Sequence, residues 1–276
     1  MLKFQNDQAA SLRRIMAKPQ PRVVSVISAS LEANQPLLLT NLAATIGAGR
    51  NNVLVVHAGQ ESIDASRSYG TNALPTLLDV AQGKSSLTQS IRQAKLGFST
   101  TKLQPKNQNL TPLESATNAQ ISEVFNGLAS RYDLILVDVA LNKNHELPIN
   151  ALNESKILIQ LTREPESIKQ AYILIKQIYQ QLGRVNIGII VTGASDAHAA
   201  VVFRNIAQVA RRFLLIDLEF FGAIPADVHI HRAAKLGRSV IDAFPQVAAS
   251  IAFKSLAQRL NYQQNRSTKL EHASLA

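Results

Sequence analysis

VVSVISASLEANQPLLLTNLAATIG, residues 23–47, sets the fold. Val23 to Ile27 is a continuous β-branched run of the kind that forms a strand buried on both faces, and from Leu37 to Gly47 the apolar spacing is helical. Between them, residues 28–36 (SASLEANQP) occupy the turn in which an open α/β sheet places a phosphate-binding loop. The same rhythm continues along the chain. Further apolar runs stand at Val53–Val56, Leu134–Val137, Ile157–Ile159 and Ile187–Val191, with helical stretches at Ile168–Leu182 and Ala199–Phe213. Strands alternating with helices predict an α/β fold with a mostly parallel β-sheet flanked by helices.

The chain has 276 residues, 46% of them hydrophobic and 17% charged, which suits one globular domain with a substantial core. The absence of cysteine excludes disulfides, thiolate metal sites and cysteine nucleophiles. No N-terminal apolar segment of signal-peptide type and no membrane-length apolar run occurs, so a cytoplasmic protein is expected. Lys and Arg outnumber Asp and Glu by 29 to 19, giving a net charge of +10. The basic residues are scattered rather than blocked, which argues against nucleic acid as the partner on charge alone.

Residues 1–20 read as a short helix ended by a linker at Pro19 and Pro21. The α/β domain is expected over 21–262, its last helix spanning about 245–262, followed by a polar tail at 263–276. The stretch from Ser99 to Pro112, rich in Thr, Asn and Pro, reads as a long surface loop.

A working phosphate loop needs glycines that let backbone N–H groups turn inward, a lysine for the phosphates and a Ser or Thr hydroxyl for magnesium. None of these requirements is met in 28–36. The whole arrangement nevertheless resembles the MinD/ParA-type P-loop family over roughly residues 7–260, and more closely its flagellar FlhG/FleN (YlxH) branch. The family loop reads approximately KGGVGKT. The resemblance puts Ser30 at the signature lysine, Leu31, Glu32 and Asn34 at the glycines, Gln35 at the P-loop lysine and Pro36 at the magnesium-binding Ser/Thr. The Asp-rich turn after the second strand becomes His57-Ala58-Gly59, and the adenine-reading asparagine becomes Thr192. The aspartate that organises magnesium and water survives as Asp138, a relic in this reading. Loss of two lysine contacts alone weakens nucleotide binding by roughly two to four orders of magnitude. Glu32 and Pro36 oppose it further, one by charge and one by its missing N–H. ATP and magnesium, which serve the family, are therefore not expected as cofactors. His57 is expected to be structural or solvent-facing, and the pair His229 and His231 is not expected to hold a metal.

The N-terminal DQAASLR resembles the DQAxxLR motif of FlhG proteins at Asp7, Gln8, Ala9, Leu12 and Arg13. In that family the segment docks on FlhF, a signal-recognition-particle-type GTPase, and stimulates its hydrolysis. Physically, Asp7 can cap a helix, Ala9, Leu12 and Met16 share a face, and Arg13 is left to meet an acidic or phosphate group. The helix of 245–262 sets Val247, Ile251, Phe253, Leu256 and Leu260 among Lys254 and Arg259. Packing on the core is the favoured role for that stripe, with weak contact to the inner face of the membrane as the alternative. The resemblance implies a FlhG/FleN-like regulator of flagellum number or placement that acts by protein contact, a pseudo-ATPase. The rival expectations are a MinD-like ATP-dependent switch with an atypical site and a ParA-like DNA-associated partitioning protein.

Overall fold

In a computed structural model, residues 22–30, 34–58, 74–104, 113–129 and 131–273 are described. The expected N-terminal helix, with Asp7, Gln8, Ala9, Leu12 and Arg13, lies outside them, as does Glu32. An eight-stranded sheet forms the centre, in the order β3-β4-β2-β5-β1-β6-β7-β8. Its strands are β1 (Arg22–Ser28), β2 (Val53–His57), β3 (Arg92–Gln93), β4 (Ser99–Lys102), β5 (Leu134–Val139), β6 (Lys156–Leu161), β7 (Ile187–Thr192) and β8 (Glu219–Ile224). Every pairing is parallel except that of β3 with β4. The mostly parallel α/β architecture read from the sequence is the observed one.

The helices are α1 (Gln35–Ala48), α2 (Leu77–Ala81), α3 (Leu87–Ser90), α4 (Ser115–Ala129), α5 (Pro165–Leu182), α6 (Asp196–Leu214), α7 (Val228–Lys235), α8 (Val240–Ala243) and α9 (Ala248–Ala273). Two apolar layers result, one on each face of the sheet. The first packs α4, α5 and α6 through Ile121, Leu128, Ile175, Ile178 and Ile206. The second packs α1 and α9 through Leu38, Leu39, Leu42, Phe253, Leu256 and Leu260. Because both faces are covered, the strands can be apolar throughout, and β2 and β5 are buried at every position.

Two expectations are corrected. Ser99–Lys102 is a strand rather than part of a surface loop: it pairs in parallel with β2, and Thr100 and Thr101 are fully buried. Its polarity hid it, although threonine is a good strand former and the Thr101 hydroxyl finds the Ser90 carbonyl at 2.7 Å. The last helix starts at Ala248 and runs to Ala273, through most of the stretch expected as a polar tail. Its apolar stripe is committed to the core, with Phe253, Leu256 and Leu260 each 1% exposed. Close packing of α9 depends on Gly222 in β8, whose φ of 147° falls beside a register shift between β7 and β8; a Cβ there would stand 2.8 Å from Leu256 Cδ2.

Candidate functional site

β1 lies between β5 and β6, so the chain leaves it toward one side of the sheet and later resumes on the other. The crevice beyond the carboxyl end of such a strand is where open α/β sheets bind ligands. Residues 28–30 leave the end of β1 toward that crevice, and α1 starts beside it.

The described ends of the turn, 28–30 and 34–36, are held by their own contacts. Ser28 Oγ donates to the Ser30 carbonyl at 2.6 Å and accepts from Ser30 N at 3.3 Å, while Ala29 N donates to the Gln160 carbonyl at 2.8 Å. Asn34 caps α1 in the left-handed conformation, φ 45° and ψ 59°, and its side chain accepts from Leu37 N at 3.4 Å. Asparagine is among the few residues besides glycine that tolerate this conformation, so the left-handed position is held without a glycine. Gln35 Nε2 donates to the Val26 carbonyl at 2.6 Å, which turns the side chain back along β1. Pro36 falls in the first turn of α1 and has no N–H to offer. Among the described residues of the loop there is no lysine, and the Gln35 amide is engaged by the Val26 carbonyl.

Across the sheet, His57 ends β2 opposite Asp138 of β5. His57 Nδ1 stands 3.5 Å from Asp138 Oδ2, and Nε2 stands 3.2 Å from Thr100 Oγ1 of β4. The imidazole is buried, 2% exposed, and Asp138 is 6% exposed. His57 is therefore structural and not solvent-facing, and the carboxylate it meets is a neighbour across strands rather than in sequence. It links three strand ends through side chains where Asp138 alone was picked out as a ligand relic. Among the described residues, no group of three or more His, Cys, Asp or Glu gathers as a metal site. His229 instead faces Asp227, Nδ1 to Oδ1 at 2.7 Å, at the cap of α7.

A cleft of about 560 Å³ opens beside this region, at the carboxyl ends of β6, β7 and β8 next to the start of α1. Asn34 and Thr192 line it, whereas Ser30, His57 and Asp138 are not among its lining. Thr192 Oγ1 is 3.4 Å from the Leu161 carbonyl and 3.5 Å from Gln160 Nε2. The polar lining also includes Gln160, Arg163, Glu164 and Asp227, which the sequence did not single out, and His231, which was considered only as a metal ligand. For Gln160, Arg163, Glu164 and Asp227 the signal was positional, since each lies at or just past the end of an apolar strand on the ligand-binding edge. Asp227 is held in place there. Burial alone would raise its carboxyl, but hydrogen bonds from His229 N, the His229 ring and Ala249 N outweigh burial and keep it below the ordinary aspartate range.

No family model matches the chain. Among solved structures it superposes on MinD of Aquifex aeolicus with a TM-score of 0.64 at 22% identity, covering 87% of this chain and 96% of that one. A MinD from Pyrococcus horikoshii in complex with Mg-ADP gives 0.62 at 18% identity, covering 87% and 96%. The fold is thus that of the MinD/ParA-type P-loop ATPases. In sequence the chain is 24% identical to the antiactivator FleN of Pseudomonas aeruginosa over 241 residues, 87% of this chain and 86% of that protein. It is 21% identical to an uncharacterized ATP-binding protein of Methanocaldococcus jannaschii, covering 86% of each. These likenesses, over most of each chain, are to proteins of MinD/ParA-type fold, among them FleN.

Proposed function

We propose that this protein is a FleN-like regulator of flagellum assembly that works by protein contact and has lost ATP binding and hydrolysis. The observation that carries the reading is the set of self-contacts at the described ends of the loop after β1. Gln35 is tied to the Val26 carbonyl where the family keeps a lysine, Pro36 removes an N–H from the helix start, and Asn34 engages Leu37 N. The His57–Asp138 contact supports it, since the surviving aspartate faces a protein side chain.

In this reading the working element is the segment around Asp7, Gln8, Ala9, Leu12 and Arg13, which engages a signal-recognition-particle-type, FlhF-like GTPase while the α/β domain serves as scaffold. The test is GTP hydrolysis by such a partner in the presence of the full chain. The Leu12→Ala, Arg13→Ala double variant should lose stimulation while keeping wild-type thermal stability. Stimulation that persists in the double variant refutes the contact mechanism.

One observation favours a second reading, an ATP-dependent switch with an atypical site: the cleft of about 560 Å³ beside Thr192 persists. Isothermal calorimetry with ATP and magnesium separates the two. Among the described residues no helix is long and apolar enough to cross a membrane, and Phe253, Leu256 and Leu260 of the α9 stripe are buried, so peripheral membrane contact through them is not part of the proposal.

A further inference from the structure

The interior and the mouth of the cleft differ in chemistry. Leu37 and Leu38 from the first turn of α1, Ile224 and Pro225 at and past the end of β8, Ile230 of α7 and Phe253 of α9 supply apolar walls. Phe253, Ile224 and Leu38 are buried, at 1%, 3% and 4% exposure. The polar groups contributed by the ends of β6 and β7 are uncharged: the Gln160 amide and the Thr162 and Thr192 hydroxyls. Arg163 Nε stands 3.7 Å from Glu164 Oε1, and both side chains are 61% exposed, so this ion pair belongs to the mouth. Asp227 is the other acid, held by the N–H groups of His229 and Ala249. Among the described lining residues, two carboxylates thus accompany a single guanidinium, which opposes a phosphate ester and suits an occupant without negative charge.

The apolar lining continues past the mouth. Val228, the first residue of α7, lines the cleft and is 62% exposed. Valine is a weak helix former, and an acid would suit the N–H groups of a helix start better, so local helix chemistry does not select it. An apolar pocket, an apolar step at its lip and a rim with charges of both signs make up the anatomy of an anchor site in a protein interface. A small ligand held wholly inside the cleft would leave Val228 in water.

We propose that the cleft is a docking pocket for one aromatic side chain of a partner protein, a tryptophan or tyrosine carried on an extended segment. The ring meets the apolar walls, its polar hydrogen meets the Thr162 and Thr192 hydroxyls, and the flanking segment covers Val228. Rings of this kind are large, rigid and uncharged with one polar tip, which matches an apolar interior that contains neutral acceptors. The proposal rests on the reading that nucleotide no longer occupies the cleft, and it adds a contact separate from the segment around Asp7 to Arg13.

The chain contains no tryptophan, so fluorescence of N-acetyltryptophanamide titrated with the full chain reads the probe alone. Its emission should shift to the blue and saturate with a Kd below roughly 1 mM. Free tryptophan, which carries charged termini that a chain segment lacks, should bind at least roughly tenfold more weakly. Val228→Glu should weaken the probe at least roughly threefold, and because an acid suits an exposed helix start its thermal midpoint should not fall. Thr192→Phe, which fills the cleft from its wall, should abolish the shift. Absence of a saturable shift with wild type overturns the proposal, as does an affinity unchanged in both variants. Equal binding of free tryptophan overturns it in favour of a free amino acid, and displacement by adenosine at the probe's own concentration in favour of a nucleoside. A wild-type dimer that the probe dissociates, read by light scattering, overturns it in favour of a second copy. Displacement by micromolar ATP with magnesium overturns this proposal and the loss of nucleotide binding together, whereas a missing shift without ATP binding overturns this proposal alone.

Discussion

His57 and Asp138 face each other from adjoining strands, and the Thr100 hydroxyl meets the other side of the imidazole. A buried polar group without its partner is unfavourable by about 1–3 kcal/mol, and loss of the ring also leaves a void. His57→Ala should therefore lower the urea midpoint by the equivalent of about 2 kcal/mol or more; a neutral result would mean that the contact is incidental. Asp227 makes a second prediction at this scale. Its folded-state carboxyl lies below the unfolded value, so its contribution is present above the unfolded value and lost as pH falls through the folded one. Acid unfolding monitored below about pH 4 should be less steep in Asp227→Asn than in wild type. Little of this was readable in advance. His57 and Asp138 are far apart in sequence, and only the parallel register of β2 and β5 sets them opposite each other.

At the scale of elements, α9 decides between two roles for an amphipathic stripe. Phe253 is 1% exposed and Ile251 is 59% exposed, so the core role makes them unequal. Phe253→Ala should destabilise by about 3–5 kcal/mol in chemical denaturation, while Ile251→Ser should remain within about 0.5 kcal/mol. The reverse order would mean that the stripe serves a surface. Strands β1, β2, β5, β6 and β7 were legible because burial on both faces demands unbroken β-branched runs. Strand β4 was not, because Ser99, Thr100 and Thr101 meet their burial requirements through hydrogen bonds such as that from Thr101 to Ser90. The last helix was read as ending near Tyr262 because its apolar period stops there; the helical backbone continues into polar sequence.

For the whole molecule, the parallel sheet separates two edges with different chemistry. The carboxyl-end edge keeps a ligand-sized cleft and a loop whose described ends are tied by their own side chains, and the opposite edge carries exposed arginines and the exposed Phe213 and Leu215. The position of the loop was legible from residues 23–47, since the strand–turn–helix pattern fixes where a phosphate site belongs. How it is closed was not, because no spacing rule says that Gln35 folds back onto Val26 or that Asn34 takes a left-handed turn. The central claim is that this closure ends nucleotide binding, and isothermal calorimetry of the full chain with ATP and magnesium tests it most directly. The account predicts no saturable heat at millimolar nucleotide, meaning a binding free energy weaker than about 4 kcal/mol. Saturable binding at micromolar nucleotide, about 8 kcal/mol, would contradict it and restore the switch reading.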